Sequence, residues 1–296
     1  MNNELIPFVK MQGTGNDFII IEREHVKHVD INSYSRFLND RHFGIGGDGL
    51  IIIDKSNDLY KMTMINPDGS EAMCGNGIRC FALYLLKKGF ISGNEFKVDS
   101  IAGVKSIKYE DRNGRDYFSV NMGVPILERS LIPVAGTGPS PVLNLEVQAD
   151  GKDYLATCVS MGNPHTVIFL NSYENIDVHI AGAQIEQNPI FPERTNVEFI
   201  KVVDRNNVMM RVWERGAGET LACGTGTCAA VVASNLQGYV DDFVKVNVPG
   251  GIVEINYSGK DVIMTGEAAV VFEGNFNLEK IKEKYPEKFN PELIKC

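Results

Sequence analysis

The sequence lacks a long apolar run, a cluster of basic residues and a dense set of cysteines. No stretch of about 18 consecutive apolar residues occurs, so no membrane-spanning helix is expected. The net charge of −9, without a block of Lys and Arg, gives no electrostatic footprint for nucleic acid or for an anionic membrane. Six cysteines in 296 residues are too few for a disulfide scaffold. The opening MNNELIPFVKMQG contains no basic region followed by an apolar core. These absences predict a cytoplasmic protein that acts on a small molecule, with no nucleic-acid or membrane partner.

The sequence does contain an internal repeat. Cys74 opens CGNGIRCFALYLLKKG and Cys223 opens CGTGTCAAVVASNLQG, and each string ends at a glycine 15 residues after its cysteine. Three further pairs of residues precede the two cysteines in the same order and at nearly the same spacing: Asn16 and Asn163, Asp48 and Asn196, and Asn66 and Arg215. Four collinear pairs predict a duplicated domain.

Each half combines several strand-like segments with one apolar helix. Runs of Ile, Val, Phe and Met end at turns such as NPDGS, DRNG and NVPGG, a pattern typical of strands. Segments 78–88 and 228–237 are apolar on nearly all sides, which predicts buried helices that end at Gly89 and Gly238. We therefore predict an α/β (α+β) fold with two pseudo-symmetric lobes. In each lobe, strands wrap around a central buried helix, and the active site lies in the cleft between the lobes.

The expected boundary lies close to NMGVPILERS. The first predicted lobe is 1–123 with the returning segment 267–296, and the second is 124–266. The last residues, 278–296, are expected to form a short charged helix and a tail.

Cys74 and Cys223 are placed at the predicted helix starts. Free backbone N–H groups and the helix dipole favour an anion there, so we expect a lowered thiol pKa and a binding site for a carboxylate. The alternative is that both cysteines are small buried hydrophobic residues. That interpretation is expected to hold for the cysteines within apolar runs, Cys80, Cys158 and Cys228, whereas Cys296 belongs to the tail. One thiol from each lobe would suit a base and an acid on two faces of one carbon, which is racemase or epimerase chemistry.

Motifs for common cofactors are present only in part. GIGGDG at 44–49 matches a dinucleotide-binding pattern, but a predicted helix precedes it and a predicted strand follows, the reverse of that motif. The C-x5-C and C-x4-C spacings, inside apolar helices and without paired histidines, form poor zinc ligand sets. Two dedicated thiols make pyridoxal phosphate redundant. No metal and no cofactor are therefore expected.

Six motifs together resemble the diaminopimelate epimerases over residues 10–276: GTGNDF, GIGGDG, NPDGSEAMCGNGIRC, GNPHT, RTNVEF and WERGAGETLACGTGT. The resemblance implies a cofactor-independent isomerase that interconverts LL- and meso-diaminopimelate in lysine and peptidoglycan precursor synthesis. It also implies that Cys74 and Cys223 are the catalytic acid and base, with His165 and Glu214 close to them. Substrate contacts are implied at Asn16, Asn66, Gly75, Asn76, Asn163, Asn196, Glu214, Arg215, Gly224 and Thr225. Gly49 departs from the pattern of some members, which have a substrate-contacting glutamine there.

Several alternatives stay open on the sequence. Proline and hydroxyproline racemases of the same superfamily usually carry a histidine where this chain has Asn76. A non-catalytic ligand-binding or redox-sensing protein could use the same duplicated fold. The asparagines could be turn residues, as Asn66 before a proline suggests. His165 could simply bond to backbone at a strand edge, and Glu214 and Arg215 could be a surface pair. The oligomeric state is open, with a homodimer as one candidate.

Overall fold

The computed structural model describes residues 5–56 and 58–286, which divide into two compact units. The first unit runs to Asp116 and resumes at Ala268, and the second is Tyr117–Glu267. No helix within the described residues is long and apolar enough to cross a membrane.

The first part of the chain, up to Asp116, contains seven strands and two helices: β1 Ile6–Gly13, β2 Asn16–Glu22, α1 Ile31–Asn39, β3 Gly49–Ser56, β4 Leu59–Ile65, β5 Glu71–Ala72, α2 Gly75–Lys87, β6 Glu95–Ser100 and β7 Lys105–Asp111. The second unit then contains ten strands and two helices: β8 Asp116–Gly123, β9 Val142–Ala149, β10 Lys152–Ser160, β11 Pro164–Phe169, α3 Val178–Glu186, β12 Asn196–Asp204, β13 Asn207–Glu214, β14 Gly218–Thr220, α4 Gly224–Leu236, β15 Phe243–Val248, β16 Gly251–Tyr257 and β17 Val262–Glu267. The chain returns to the first unit with β18 Ala269–Phe276 and α5 Leu278–Lys284.

The strands of the first unit pair in the order β18–β1–β2–β3–β4–β6–β7, with β5 beside β4. Two of these pairs, β2–β3 and β4–β6, are parallel and the others are antiparallel. Apolar side chains of β1, β2 and β3 pack with those of α1 and α5 in one core cluster.

The strands of the second unit pair in the order β9–β10–β11–β12–β13–β15–β16–β17–β8, with β14 beside β13. The parallel pairs are β11–β12 and β13–β15, at the same places in the order as in the first unit. The six pairs of the first unit recur in the same succession in the second unit, which adds two antiparallel pairs, β16–β17 and β17–β8. This shared succession confirms the predicted pseudo-symmetry.

The observed division differs from the predicted lobes at β8. The sequence put 117–123 in the first lobe and Glu267 at the start of the returning segment, whereas both belong to the second unit. The reason is that β8 pairs antiparallel with β17 along its whole length, from Tyr117 opposite Glu267 to Gly123 opposite Val262.

A buried helix occupies the centre of each unit, as predicted. Helix α2 contacts β1, β2, β3, β4 and β18, and α4 contacts β10 to β13 and β15 to β17. Residues 75–85 and 224–234 are all buried. Gly89 and Gly238 follow the helices with φ of +68° and +74°, a left-handed conformation that glycine adopts without strain.

The remaining local predictions are met where the structure describes the chain. GIGGDG lies after α1 and before β3, the order that argues against a dinucleotide fingerprint. Cys80, Cys158 and Cys228 are fully buried, and burial raises the pKa of Cys80 and Cys158 to about 12. The charged helix after 278 is α5, while the tail with Cys296 lies outside the described residues.

Candidate active site in two half-sites

The first half-site is built at the start of α2. Cys74 is the N-cap residue, with φ −131° and ψ 118°, and its Sγ accepts the Gly77 N–H at 3.4 Å. A Cβ on Gly77 would lie 3.1 Å from Ile51 Cδ1 and 3.3 Å from the Cβ of Cys74. Glycine therefore lets the backbone approach the sulfur, and the predicted position of this thiol at a helix N-terminus is confirmed.

The Cys74 thiol and the Asn76 side chain both contact the side-chain oxygen of Asn16. The thiol donates to Asn16 Oδ1 at 3.5 Å, and Asn76 Nδ2 donates to the same oxygen at 3.4 Å. Asn16 Nδ2 in turn donates to Asp48 Oδ2 at 2.5 Å. Gly75, the first residue of α2, is buried beside them. The structure thus brings together four of the predicted residues of the first half-site: Asn16, Cys74, Gly75 and Asn76.

Behind Asn16 lies a charged cluster that the sequence did not identify. Asp17 accepts from Lys10 Nζ at 2.7 Å and from both terminal nitrogens of Arg41, which also reaches Asp48 at 2.8 Å. Burial raises the pKa of Asp17, but the hydrogen bonds from Arg41 and Lys10 outweigh it and hold the pKa at about 2. The cluster therefore stays charged and fixes Asp48, which holds the Asn16 amide.

Asn66 lies in the turn between β4 and β5. Its backbone N–H donates to Ser70 O at 2.8 Å and its Nδ2 donates to Ser70 Oγ at 3.0 Å. The amide is engaged in its own turn, as the alternative interpretation expected. A contact between Asn66 and substrate stays a prediction.

Gly49 begins β3, and a side chain there would displace the flexible end of Met64. A Cβ there would lie 2.5 Å from Met64 Cε and 3.3 Å from the Ile65 carbonyl oxygen. Met64 therefore occupies the space that a glutamine side chain at this position would need.

The second half-site is built at the start of α4. Cys223 is the N-cap residue, with φ −114° and ψ 117°, and its Sγ accepts the Gly226 N–H at 3.4 Å. The Thr225 hydroxyl lies 3.5 Å from the sulfur. Gly224 and Thr225 are buried in the first turn, and Cys223 is only 6% exposed. The two cysteines thus occupy the same place in their units.

The predicted lowering of the thiol pKa is wrong for Cys223. Burial raises the pKa of this thiol well above its usual value, and the neighbouring Glu214 and Glu198 carboxylates raise it further. Thr225 and the Gly226 N–H act in the opposite direction without overcoming these effects. A helix N-terminus alone therefore does not decide the charge of this sulfur, because desolvation and two acidic neighbours dominate.

Glu214, the last residue of β13, lies against Cys223. It accepts a hydrogen bond from the Thr220 hydroxyl and another from the Cys223 thiol. Burial raises the pKa of Glu214 despite these bonds. The next residue, Arg215, is exposed and its guanidinium donates to Glu193 O at 3.0 Å. The Glu214 carboxylate therefore contacts the Cys223 sulfur, while the Arg215 guanidinium is exposed.

His165 and Asn163 connect the start of β11 to α4. His165 Nε2 lies 3.1 Å from Asn163 Oδ1, and Asn163 Nδ2 donates to Thr225 Oγ1 at 3.3 Å. His165 is fully buried and both ring nitrogens contact side chains, so the alternative of a strand-edge histidine bonded to backbone does not hold.

Glu198 is a buried acidic residue that the sequence interpretation missed. Its Oε1 lies 2.7 Å from His165 Nδ1, and both side chains are fully buried. The signal was present in RTNVEF, because a carboxylate in the middle of an apolar strand requires a partner. Two residues earlier, Asn196 donates to Pro164 O at 2.8 Å and accepts from the Arg215 N–H at 3.0 Å. Asn196 therefore fixes the backbone on which Arg215 is carried.

Within the described residues, one cluster of side chains could supply metal ligands. One group, Glu22, Glu24 and His25, has ligand atoms within 4.8 Å of one another. Glu22 of this group already accepts a hydrogen bond from the Tyr84 hydroxyl at 2.7 Å. None of the three belongs to either cysteine half-site.

Comparisons with known proteins identify the family of the chain. A model of the family described as diaminopimelate epimerase matches residues 8–128 and 157–271. The diaminopimelate epimerase of Moorella thermoacetica is 47% identical over 92% of this chain and 99% of its own length, and that of Methanococcus maripaludis strain C5 is 44% identical over 92% and 99%.

Solved structures with much lower identity share the fold. A hydroxyproline epimerase from Agrobacterium vitis is similar with a TM-score of 0.69 at 14% identity, over 93% of this chain and 91% of that one. A Bacillus anthracis phenazine biosynthesis protein of the PhzF family is similar with a TM-score of 0.67 at 14% identity, over 92% and 99%. Because the family model covers most of the residues and relatives of that name align over more than nine tenths of the sequence, the chain belongs to the diaminopimelate epimerase family.

Proposed function

We propose that the chain interconverts LL- and meso-diaminopimelate without a cofactor, with Cys74 and Cys223 as the acid and base at the α-carbon. One observation carries the proposal. In each unit, a cysteine caps the central helix and its sulfur accepts the N–H of the glycine three residues later. Family membership supports the choice of substrate, because the curated relatives are named for it.

In the proposed reaction, a thiolate removes the α-proton from one face of the carbon. The electron pair passes into the substrate carboxylate, and the thiol of the other unit delivers a proton to the opposite face. Backbone N–H groups of the first turns, at Gly75 and Asn76 and at Gly224 and Thr225, would stabilise the charge that develops on the carboxylate. Inversion of the centre requires one protonated and one deprotonated sulfur at the start of each turnover.

The environment of Cys223 supports its assignment as the acid in the resting enzyme. The raised pKa of this thiol, caused by burial and by Glu214 and Glu198, favours the protonated form at neutral pH. Cys74 is then the first base. In the reverse direction the two roles exchange, and Glu214, which accepts from the Cys223 thiol, could help remove its proton, with His165 beside it.

Recognition of the distal end of the substrate is proposed for the polar residues around the two cysteines. Arg215 has an exposed guanidinium of which one nitrogen donates to Glu193 O, so further donors can take a carboxylate. Glu214 can bind an ammonium group, as can the oxygens of the amide side chains. We propose that the asparagines at the predicted positions, Asn16, Asn66, Asn76, Asn163 and Asn196, complete these contacts.

The test is an assay of the purified protein without added cofactor. LL-diaminopimelate should be epimerised and L-proline should not, whereas the reverse result would favour the racemase alternative. A protein that binds diaminopimelate but never epimerises it would instead be the non-catalytic alternative.

Isotope exchange tests the use of two sulfurs. In deuterated water, the donating thiol carries solvent deuterium, so early turnovers should label the product and leave unreacted substrate unlabelled. A single base acting on both faces would return label to the substrate, and that result would contradict the proposal.

We propose further that the protein is a homodimer in solution. Strand β18 pairs with β1, and consecutive residues Val270, Val271 and Phe272 of β18 are 41%, 55% and 46% exposed. Three adjacent exposed apolar side chains on one strand are typical of an interface. Phe272→Asp should shift the sedimentation coefficient to that of a monomer, whereas Phe243→Asp, at a similarly exposed phenylalanine of the second unit, should not. Equal behaviour of the two variants would contradict this surface.

A cytoplasmic location is proposed from the cysteines. Five of them are free within the described residues, and the proposed chemistry needs two reduced thiols. Cell fractionation should recover the protein with cytosolic markers, and recovery in an oxidising compartment would contradict the proposal.

A further inference from the structure

The buried pair of His165 and Glu198 stands behind a chain of hydrogen bonds that ends at the Cys223 sulfur. From Glu198 Oε1 the contacts run to His165 Nδ1 at 2.7 Å, and from His165 Nε2 to Asn163 Oδ1 at 3.1 Å. Asn163 Nδ2 continues to Thr225 Oγ1 at 3.3 Å, and Thr225 Oγ1 to the sulfur at 3.5 Å. All members of the chain belong to the second unit.

Burial determines how many protons the pair holds. Both side chains are fully buried, so a pair with a net negative charge would carry a large desolvation cost. Glu198 Oε2 has no hydrogen-bond partner among the described residues, so no donor there supports a full carboxylate charge. Burial accordingly raises the pKa of Glu198, although His165 opposes the shift. A pair without net charge holds one proton between Oε1 and Nδ1 and a second proton on Nε2.

A proton held on Nε2 fixes the direction of every later bond. Nε2–H donates to the Asn163 carbonyl oxygen, which turns the Asn163 NH₂ toward Thr225. Because Thr225 Oγ1 then accepts from Asn163, its own O–H is free to donate to the sulfur. Donors aligned in one direction polarise one another and favour negative charge at the end of the chain.

We propose that Glu198 is a positioning residue for Cys223: through His165 and Asn163 it makes the Thr225 hydroxyl a donor to the sulfur whenever that sulfur becomes a thiolate. The proposal rests on the proposed role of Cys223 in epimerisation. The Thr225 donor offsets the cost of forming a buried thiolate at Cys223. Cys223 can then act as the acid in one direction and as the base in the reverse direction.

Direct electrostatic action of Glu198 would have the opposite effect. The titratable groups that face Cys223 are Glu214 and Glu198, and a carboxylate charge at either disfavours the thiolate. Removing a negative charge at Glu198 would then make the thiolate easier to form. Breaking the hydrogen-bond chain would make it harder to form, so the sign of the change separates the two effects.

The first experiment measures alkylation of Cys223 by iodoacetamide at fixed pH, followed by mass spectrometry of the Cys223 peptide in a Cys74→Ala background. Thr225→Val should slow alkylation about tenfold, because a hydrogen bond to a charged group is lost. Glu198→Gln leaves His165 free to take either tautomer and should slow it about threefold. The double variant should be no slower than Thr225→Val alone, since Glu198 acts through Thr225.

The matched control is Glu186→Gln, which also removes a buried carboxylate from the second unit. Glu186 accepts from Trp213 Nε1 at 2.7 Å and from the Gly216 N–H at 3.0 Å, outside the chain that ends at Cys223. Its alkylation rate should match that of the parent. Faster or unchanged alkylation in Glu198→Gln, or additive effects in the double variant, would overturn the proposal.

The second experiment observes the histidine directly. In protein labelled with ¹⁵N-histidine, His165 Nε2 should carry a proton at neutral pH in the parent protein, and His165 should show mixed tautomers in Glu198→Gln. His165→Asn assigns the signal among the five histidines of the chain. An unprotonated Nε2 in the parent protein would overturn the proposal. Neither experiment requires epimerase turnover, so failure of the proposed function and failure of this inference are distinguishable.

Discussion

The two half-sites share a backbone and differ in the layer beneath the cysteine helix. Phe18 pairs with Gly49 across β2 and β3, and at the corresponding place His165 pairs with Asn196 across β11 and β12. The register therefore matches Asn196 with Gly49, one residue after the Asp48 with which the sequence paired it. Two residues further along, Ile51 corresponds to Glu198, and all four of the layer side chains are fully buried: Phe18, Ile51, His165 and Glu198.

This difference shows what duplication holds constant and what it leaves free to change. The helix cap, the glycine under the sulfur and the order of paired strands are the same in both units. The layer under the helix is apolar in the first unit and ionisable in the second. The proposed mechanism requires two cysteines that differ in protonation, and this asymmetry gives the second sulfur its own electrostatic environment.

The largest expected effect is on kcat, and it should be the same for the two half-sites. Cys74→Ser and Cys223→Ser should each lower kcat by about 10³-fold, because a serine hydroxyl is a much weaker acid than a thiol and does not form the basic anion at neutral pH. Steady-state assays with LL-diaminopimelate measure it, and Cys158→Ala, at a buried cysteine of β10, should keep most of the kcat. Retention of more than about a tenth of the kcat by either serine variant would exclude a two-thiol mechanism.

The next effect is on stability. Substitutions in the second unit replace its ionisable layer by the apolar layer found in the first unit. Glu198→Ile leaves His165 without its carboxylate and should lower the free energy of unfolding by about 3 kcal/mol. The double variant His165→Phe with Glu198→Ile copies the apolar layer of the first unit and should lie within about 1 kcal/mol of the parent. Urea unfolding measures both. A double variant as unstable as the single one would show that the second unit cannot accept an apolar layer.

A smaller effect concerns the charge at Cys223. Glu214→Gln removes a neighbouring negative charge that opposes the thiolate, so the pKa of Cys223 should fall. Alkylation at neutral pH should then become about tenfold faster, the opposite sign to the change expected for Thr225→Val. The alkylation rate as a function of pH measures the shift, with Glu186→Gln as the control. A slower reaction would mean that Glu214 stabilises the thiolate instead.

The smallest effect compares the two glycines beneath the sulfurs. A Cβ on Gly226 would lie 2.7 Å from Glu198 Oε1, whereas one on Gly77 would lie 3.1 Å from Ile51 Cδ1. The Ile51 methyl can move, but the carboxylate is held by His165, so Gly226→Ala should destabilise by about 1 kcal/mol more than Gly77→Ala. Thermal unfolding of the two variants measures the difference. Equal losses of stability would mean that the Glu198 carboxylate moves as easily as the Ile51 methyl group.

Local features of the fold could be predicted because their causes are local. The buried helices follow from apolar segments, and their ends follow from Gly89 and Gly238, whose positive φ suits glycine. The boundary at 123 could not be predicted, because membership of β8 depends on its pairing with β17, about 140 residues away in the chain.

The candidate site shows the same limit. The positions of Cys74 and Cys223 at helix starts follow from the Cys-Gly-x-Gly turns, but the direction of the Cys223 pKa shift does not. That direction depends on burial and on Glu214 and Glu198, which the fold brings to the sulfur from two different strands. Glu198 was visible as a carboxylate within an apolar strand, yet its partner His165 is 33 residues away and only the parallel pairing of β11 and β12 brings them together.

Strand β18, near the end of the chain, belongs to the first unit, whereas β8 belongs to the second unit. This division has a consequence for synthesis on the ribosome. The second unit is one continuous segment, Tyr117–Glu267, so its sheet can form as soon as that segment has emerged. The first unit is translated earlier but lacks β18, the partner of β1, until Phe276 has been made. The amino-terminal unit is therefore the last to complete its sheet, contrary to the usual order in which domains mature from the amino terminus.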